Sequence, residues 1–244
     1  NPAEDFGNEG LAWQKDTSWG NYFVTTLHAY EPVTLENAMA YSDNIYFAKA
    51  ALAIGAKNME KALDGLGFGQ EVPFEIVMPA SSYSNTEHIE TEIQLADSGY
   101  GQGQILVNPL HLACLYTAFC NGGDVLAPSL LWQKTARPQT WMEQAVSEET
   151  AAAVLETMKK VISDPQATGY GAFREDLPLA GKTGTAEIKA YAGDTTGTEL
   201  GWFAVFTADP AAEKPVLLVS MVEDVKERGG SGYVVDKVME VLGA

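Results

Sequence analysis

Apolar residues recur every three to four positions in several stretches of the chain, a spacing typical of amphipathic helices. Thr34 is the predicted N-cap of the first such helix. The polar triplet at 42–44 ends it, because Ser, Asp and Asn side chains compete for backbone hydrogen bonds. The pattern next predicts a helix over about 45–54, ended by Gly55, and a short helix over about 58–66.

Two later helices are predicted from the residues that begin them. Asn108 is an N-cap followed by Pro109 at the first helical position, and Ser147 precedes acidic residues that suit the positive end of a helix. Residues 67–98 show no sustained period and are predicted to be irregular. Residues 99–103 are predicted to form a tight turn with close backbone packing.

Towards its end the chain is predicted to form a meander of strands, and the last two of these are largely apolar. The three predicted strands cover 179–188, 201–207 and 216–222. The polar link at 193–197 and the Asp209-Pro210 turn favour antiparallel hairpins, and a last helix is predicted over about 233–242. The sequence therefore predicts helices first and a strand meander last.

Composition and charge narrow the classes of function. The 244 residues are 46% hydrophobic, enough for a sizeable core in one large domain. The formal net charge of −18 argues against binding to nucleic acid or to an anionic membrane surface, because both need basic patches. The chain has no apolar run that could span a bilayer and no signal peptide. We expect it to be cut from a longer chain, with any membrane anchor in the missing N-terminal part.

Cysteine and histidine give no sign of a metal site. Cys114 and Cys120 lie about 240° apart around a predicted helix, so they do not share a face, and both are predicted to be small buried residues. Neither they nor His28, His88 and His111 have the spacing of metal ligands. We predict no metal and no cofactor.

Candidate chemistry lies on the first predicted strand, where a lysine, a hinge glycine and two threonines stand together: Lys182, Thr183, Gly184 and Thr185. The lysine supplies a point charge, the threonines supply hydrogen-bond donors, and the glycine lets a ligand approach the backbone. This combination suits an anionic group. Taken alone, the motif is more simply explained by an edge strand with an exposed lysine.

Gly-Lys-Thr also occurs in the phosphate loop of nucleotide-binding proteins, but the rest of that motif is missing. The loop needs a glycine five positions before Gly181, where the chain has Asp176, and it needs a helix directly afterwards. Residues 186–189 are predicted as strand instead. We therefore reject the nucleotide interpretation.

The triplet Ser42-Asp43-Asn44 allows two interpretations. It is a typical cap between two helices. It also offers a serine hydroxyl for proton relay beside a carboxamide that can bind a substrate amide through both of its ends.

Three short motifs follow one another in the order typical of penicillin-recognising serine enzymes: Ser42-Asp43-Asn44, Gly101-Gln102-Gly103 before a helix, and Lys182-Thr183-Gly184 on a strand. The residues that flank these motifs extend the resemblance over nearly the whole chain. Residues 182–187 followed by Gly201-Trp202-Phe203 resemble a class B penicillin-binding protein. The stretches at 10–20 and 95–103 resemble its low-affinity, methicillin-resistance type.

The resemblance implies an α+β fold, the penicillin-recognising serine transpeptidase fold, in which helices pack on an antiparallel sheet. That sheet has five strands in the family, and the sequence predicts three of them here. We therefore expect residues 1–244 to form a partial transpeptidase domain. Its helical part would cover about 34–170, and its strand meander and C-terminal helix about 179–243. One bare sheet edge is expected, and such an edge invites self-association.

The resemblance also implies roles for the residues of the motifs. Ser42 would pass a proton between the nucleophile's lysine and the leaving amine. Asn44 would hydrogen-bond the substrate amide and help hold that lysine, while Asp43 is assigned no chemistry. Lys182 would lend positive potential to the site.

The same likeness assigns substrate binding to the strand motif, at Thr183, Gly184 and Thr185. The two threonines would bind the terminal carboxylate of a stem peptide or a β-lactam. The backbone N–H of Thr185 would form half of an oxyanion hole.

The implied reaction is acyl transfer that cross-links peptidoglycan on the extracytoplasmic face of the bacterial cell membrane. A D-Ala-D-Ala stem peptide acylates a serine, D-Ala leaves, and an amine from a neighbouring strand takes the acyl group. The Glu-x-x-Leu-Asn signature of related hydrolases is not found after Ser42, which favours a transpeptidase over a β-lactamase.

One departure from the family pattern matters most. The family's nucleophile lies in a Ser-x-x-Lys motif, and no serine in this chain has a lysine three positions on. In the family that motif precedes the Trp13-Gln14-Lys15 stretch. We therefore expect the C-terminal part of a transpeptidase, inactive alone because the covalent path needs a nucleophile. The alternative is a non-catalytic β-lactam-sensing or cell-wall-binding module.

Overall fold

The structure, a computed structural model, describes residues 1–131, 137–188, 196–209 and 211–243. The helices in these residues are α1 (Leu35–Tyr41), α2 (Asn44–Ile54), α3 (Ala56–Gly65), α4 (Glu92–Ser98), α5 (Pro109–Thr117), α6 (Glu148–Ser163) and α7 (Ser231–Val241). Short 3₁₀ turns lie at Thr17–Trp19, Ala118–Cys120, Tyr170–Ala172 and Lys226–Arg228. None of the described helices is both long and apolar enough to cross a lipid bilayer.

The strands in the same residues are β1 (Ala12–Trp13), β2 (Val24–Thr25), β3 (Val125–Leu126), β4 (Thr140–Met142), β5 (Leu179–Ile188), β6 (Thr198–Thr207) and β7 (Leu217–Val222). β1 pairs with β2, and β3 pairs with β4, in both cases antiparallel. β5, β6 and β7 form an antiparallel sheet in that order. Helices packed with antiparallel sheets make the protein α+β, as the sequence predicts.

The chain divides into two compact units. The helical unit comprises Asn1–Ala38 and Asp43–Ala151, and the sheet unit comprises Met39–Ser42 and Ala152–Ala244. The sequence-based description of a partial domain over 1–244, with a helical part at about 34–170 and a strand part at about 179–243, stays a prediction.

In the helical unit, α2, α4 and the N-terminal segment share one apolar cluster, formed by Trp19, Val24, Ile45, Ala48 and Ala96. Gly99, directly after α4, allows a close approach to α2. A Cβ at this position would lie 2.4 Å from the Phe47 carbonyl oxygen. The close backbone packing predicted for 99–103 is thus confirmed at its first residue.

In the sheet unit, α7 and the end of α6 pack on the sheet through buried aliphatic and aromatic side chains: Val161, Ile162, Leu179, Phe203, Val205, Val234, Val235 and Val238. Two glycines permit close contacts in this unit, Gly201 between the sheet and α7 and Gly181 between β5 and β6. A Cβ at Gly201 would lie 2.7 Å from Val234 Cγ2, and a Cβ at Gly181 would lie 2.5 Å from the Ala204 carbonyl oxygen. A larger residue at Gly201 would push α7 away from the sheet, and a larger residue at Gly181 would push β5 away from β6.

The sheet has its predicted strands in their predicted antiparallel arrangement. Within the described ranges, β5 and β7 each pair with one strand, β6, and so form the two sheet edges. Self-association through a bare edge stays a prediction. Residue 189 of the 186–189 strand prediction, residues 193–195 of the predicted link and Pro210 of the predicted turn lie outside the described residues.

The predicted helix boundaries in the helical unit are largely confirmed. Asn108 caps α5 by accepting the Leu110 N–H, and Ser147 accepts the Thr150 N–H at the start of α6. Gly55 follows α2 with a φ of 81°, a backbone conformation that favours glycine.

Two predictions in the helical unit were wrong in detail. Residues 67–98 are not irregular throughout, because they contain α4, which begins where the Thr91 hydroxyl accepts the Gln94 N–H. A helix of two turns shows too few positions to reveal a period, and packing against α2 stabilises it instead. Cys120 is half-buried rather than buried, because it lies in the 3₁₀ turn after α5.

The helical unit also contains a fully buried histidine, His111, on α5. Its Nδ1 lies 2.7 Å from the Ser81 Oγ, and its Nε2 lies 2.8 Å from the Leu66 carbonyl oxygen. A carbonyl oxygen can only accept, so Nε2 carries the ring proton and Nδ1 accepts from Ser81. Burial lowers the pKa of His111 below its ordinary value of 6.5. The folded protein therefore favours the neutral ring.

We expect the protein to lose stability as the pH falls below about 6.5, the ordinary pKa of histidine. In that range the unfolded chain binds a proton that the folded protein resists, so the free energy of unfolding falls by at most about 1.4 kcal/mol per pH unit. Urea unfolding between pH 5 and pH 7.5 measures this slope. The His111→Gln variant should show a flatter slope than the original protein. Parallel slopes for the two proteins would contradict the expectation.

Candidate active site

Lys182 and Ser42 lie 140 positions apart in the chain, and the sheet unit brings their side chains together. Lys182 Nζ donates to Ser42 Oγ over 2.8 Å and to the Thr183 carbonyl oxygen over 2.9 Å. Lys182 belongs to β5, and Ser42 directly follows α1. Two of the three sequence motifs therefore meet at one hydrogen bond.

The backbone of Ser42 is in the left-handed region, with a φ of 56°. This conformation costs an L-residue such as serine roughly 1 kcal/mol, because its Cβ crowds the following carbonyl oxygen. The segment is anchored nearby, since the Ser42 N–H donates to the Met39 carbonyl oxygen and the Met39 side chain packs against the core of the sheet unit. Strain of this kind is often concentrated at functional sites.

Lys182 is half-buried in the sheet unit, and its ammonium group donates to two protein oxygens. Burial lowers its pKa from the ordinary value of 10.5 to about 8. The ammonium group is therefore still mostly protonated at pH 7, and it donates to the two oxygens described above. The site holds a positive charge whose proton is more easily transferred than that of a lysine in water.

Thr183 points its hydroxyl towards the loop that follows α6. The side chain is 5% exposed, and Thr183 Oγ1 donates to Thr168 Oγ1 over 2.6 Å. A hydroxyl has one proton, so Thr183 cannot donate to a ligand while it donates to Thr168. Its predicted role in binding a carboxylate stays a prediction, and it would require this hydroxyl to change partner.

Gly184 and Thr185 continue β5 beyond the lysine. A Cβ at Gly184 would lie 3.4 Å from Trp202 Cβ, an ordinary contact, so internal packing does not require glycine there. The Thr185 residue is exposed, and it lies on the same face of β5 as Thr183 because side chains alternate along a strand. Gly184 and Thr185 are thus the positions of the motif that a ligand can most readily approach.

Asp43 caps α2. Its Oδ1 accepts the N–H groups of Ile45 and Tyr46 over 2.9 and 3.3 Å, and its Oδ2 accepts the Tyr30 hydroxyl over 2.8 Å. The cap interpretation of the triplet is therefore confirmed for Asp43, and the proton-relay interpretation stays a prediction for Ser42. Asp43 is the helix cap, while the hydroxyl of Ser42 accepts a hydrogen bond from a lysine.

Asn44 is the first residue of α2, in the helical unit. Its Nδ2 donates to the carbonyl oxygen of Thr25 on β2 over 2.9 Å. This hydrogen bond fixes the orientation of the carboxamide. Its predicted role in binding a substrate amide stays a prediction.

Sequence reasoning did not single out two side chains that hold the motifs in place, Thr168 and Tyr30. Their hydroxyls bond to Thr183 and Asp43, which lie 15 and 13 positions away in the chain. No local period or motif connects such pairs. The only available signal was the glycine beside Thr168, which indicates a close turn but not a partner.

The chain matches the family described as penicillin binding protein transpeptidase domain over residues 1–242. It therefore belongs to the family of penicillin-binding protein transpeptidase domains.

Among characterised relatives, the chain is similar to penicillin-binding protein 3 of Bacillus subtilis (strain 168), with 42% identity over 230 residues. This match covers 94% of the chain and 34% of the relative. The chain is also similar to the probable peptidoglycan D,D-transpeptidase PbpC of Pseudomonas aeruginosa, with 28% identity over 202 residues, which covers 81% of the chain and 34% of the relative. The chain thus spans about a third of the length of these two proteins.

A solved structure of the transpeptidase domain from Burkholderia pseudomallei penicillin-binding protein 3, without ligand, has the same fold. The TM-score is 0.78, and the match covers 95% of this chain and 66% of that one. The sequences are 22% identical, so the comparison supports the fold alone.

Proposed function

We propose that the protein containing these residues is a serine-type peptidoglycan D,D-transpeptidase that cross-links stem peptides and is acylated by β-lactams. The observation that carries this proposal is the 2.8 Å hydrogen bond between Lys182 Nζ and Ser42 Oγ. This hydrogen bond joins the hydroxyl that we propose as the proton relay to the ammonium group of a lysine, in a chain of this family. Acyl transfer needs both, because a proton must reach the leaving amine while negative charge develops nearby.

In this proposal Ser42 and Lys182 act together on protons. The Ser42 Oγ accepts a hydrogen bond from the Lys182 ammonium group, so the hydroxyl proton of Ser42 is available for the leaving amine. Lys182 can restore that proton, and its lowered pKa makes the transfer easier. Asn44 would orient the substrate amide from the first turn of α2.

The substrate carboxylate is assigned to the exposed part of β5. Thr185 is exposed on this strand and Gly184 has no side chain, with the positive charge of Lys182 nearby in the sequence. Thr183 would join them only by releasing Thr168. The Thr185 N–H remains our candidate for half of the oxyanion hole.

We infer three further properties of the protein. These 244 residues lack Ser-x-x-Lys, so we expect no covalent chemistry from them alone. We also propose that the protein is of the low-affinity, methicillin-resistance type, which the resemblance of the stretches at 10–20 and 95–103 supports. The reaction takes place on the extracytoplasmic face of the cell membrane, where peptidoglycan is cross-linked.

Intact-mass spectrometry after exposure to benzylpenicillin tests this proposal. Residues 1–244 should gain no mass, whereas the full-length protein should gain the mass of one drug molecule. Turnover of a D-Ala-D-Ala stem peptide with an amine acceptor should then accompany acylation. An adduct without turnover would favour a β-lactam sensor, and no adduct on either form, even after long exposure, would favour a cell-wall-binding module.

A further inference from the structure

Thr168 contacts the neighbours of both members of the Ser42–Lys182 pair, and all of these residues belong to the sheet unit. Its N–H donates to the Ala40 carbonyl oxygen over 3.1 Å, and its Oγ1 accepts the Thr183 hydroxyl over 2.6 Å. Ala40 lies two positions before Ser42, and Thr183 directly follows Lys182. One residue therefore links the segment that ends in Ser42 to the strand that carries Lys182.

The loop around Thr168 is held in place by its own neighbours. Ala167 is buried, and its N–H donates to the Asp164 carbonyl oxygen over 2.9 Å. A Cβ at Gly169 would lie 3.0 Å from the Val161 carbonyl oxygen, so this loop rests directly on α6. Thr168 is thus attached to a packed helix and can serve as a fixed point.

We propose that Thr168 is a positioning residue, which holds Ser42 Oγ within hydrogen-bond reach of Lys182 Nζ through its contacts with Ala40 and Thr183. This inference rests on the proposed function for its catalytic consequence. Its structural part is independent of that function, because it concerns only the distance within the pair. Hydrogen bonds between nitrogen and oxygen span about 2.7–3.2 Å, so small shifts of either segment would take the two side chains out of this range.

The chain offers a well-matched set of variants. Thr168→Val keeps the shape of the side chain and removes its hydroxyl, while Thr168→Ser keeps the hydroxyl. Thr157→Val is the control, because Thr157 is also buried in the sheet unit but its hydroxyl donates within α6, to the Val154 carbonyl oxygen. Thermal unfolding of each variant establishes that it is folded.

The first measurement is the acylation of the full-length protein by benzylpenicillin, with the binding step and the chemical step separated. We expect Thr168→Val to lower the rate constant of the chemical step about tenfold or more, because misplacing catalytic groups by about 1 Å can cost a hundredfold. Thr168→Ser and Thr157→Val should stay within about twofold of the original protein. Thr183→Val should lower this rate constant by a similar factor. The double variant should be little slower than either single variant, because both substitutions remove the same hydrogen bond.

The second measurement does not depend on acylation. The Lys182 ammonium is titrated by NMR with labelled lysine in the full-length protein. In Thr168→Val its pKa should rise from about 8 towards the ordinary 10.5, because a displaced lysine is better hydrated. In Thr168→Ser and Thr157→Val it should stay at about 8.

These results separate the two proposals. If the unaltered protein is never acylated, the proposed function fails, and the titration alone decides the positioning role. An unchanged Lys182 pKa in folded Thr168→Val, or a chemical step as fast as in the original protein, overturns that role. The positioning role is also overturned if Thr168→Val lowers only the affinity for benzylpenicillin, because Thr168 would then contact the drug itself.

Discussion

Replacing Lys182 by methionine should abolish most acylation of the full-length protein by benzylpenicillin and, at the same time, stabilise the fold. Methionine keeps the length of the side chain and removes the charge and its three donors. The chemical step should slow by about 10² to 10⁴, the usual contribution of a positioned acid–base group. The stability should rise because the ammonium group is costly to bury. A shift from 10.5 to about 8 corresponds to roughly 3 kcal/mol as an upper bound.

The free energy of unfolding, measured as a function of pH, is a second test of the Lys182→Met variant. The pKa of Lys182 is lowered in the folded protein, so between about pH 8 and pH 10.5 the unfolded chain binds more protons than the folded protein. The free energy of unfolding of the original protein should therefore rise with pH across that window. Below pH 8 both states are protonated, and the cost of burial is present in full. The Lys182→Met variant should lack this rise and be the more stable protein at pH 7.

The control for both measurements is Lys159→Met on α6. Lys159 is a surface residue that pairs with Glu156 over 2.7 Å, so its loss removes a charge from the same unit without touching the site. Acylation should be unaffected, and stability should change by less than about 0.5 kcal/mol. If Lys182→Met acylates normally, or is less stable than the original protein at pH 7, the buried cation does not have the role assigned to it.

Replacing Ser42 by alanine or by glycine should slow acylation by at least about a hundredfold in both cases, because each variant lacks the relay hydroxyl. The two variants should differ in stability. Alanine keeps the strain of a φ of 56°, whereas glycine adopts this backbone without cost. We expect Ser42→Gly to be more stable than Ser42→Ala by about 1 kcal/mol. Kinetics with benzylpenicillin and urea unfolding measure the two effects separately.

Asp224 provides the matched comparison. It also has a positive φ, 59°, and lies in the sheet unit, but it is exposed and bonds to Thr198 rather than to the motifs. Asp224→Gly should likewise be more stable than Asp224→Ala, and both should be acylated normally. Equal stabilities of the two Ser42 variants would show that this backbone is not strained, and normal acylation of either would remove Ser42 from the proton path.

The sheet was predictable because its signal is local. β6 and β7 each contain a largely apolar run, and polar links separate the three strands β5, β6 and β7 along the chain. The caps of α5 and α6 were predictable for the same reason, since a cap acts on N–H groups two or three positions away. The seven-residue α4 was not, because two turns show no period and its stability comes from packing on α2.

The sequence by itself determined which chemical groups the protein has and, to within a few residues, where the three strands of the β5–β6–β7 sheet and most helices lie. It showed the three motifs in order and the lack of Ser-x-x-Lys in these residues. Only the tertiary structure decided which groups meet. The Lys182–Ser42 hydrogen bond spans 140 positions, and the partner of the Thr183 hydroxyl is a threonine in a loop. Local preference acts over a few residues, whereas such pairings depend on how helices and sheet pack, so they cannot be predicted from the order of residues alone.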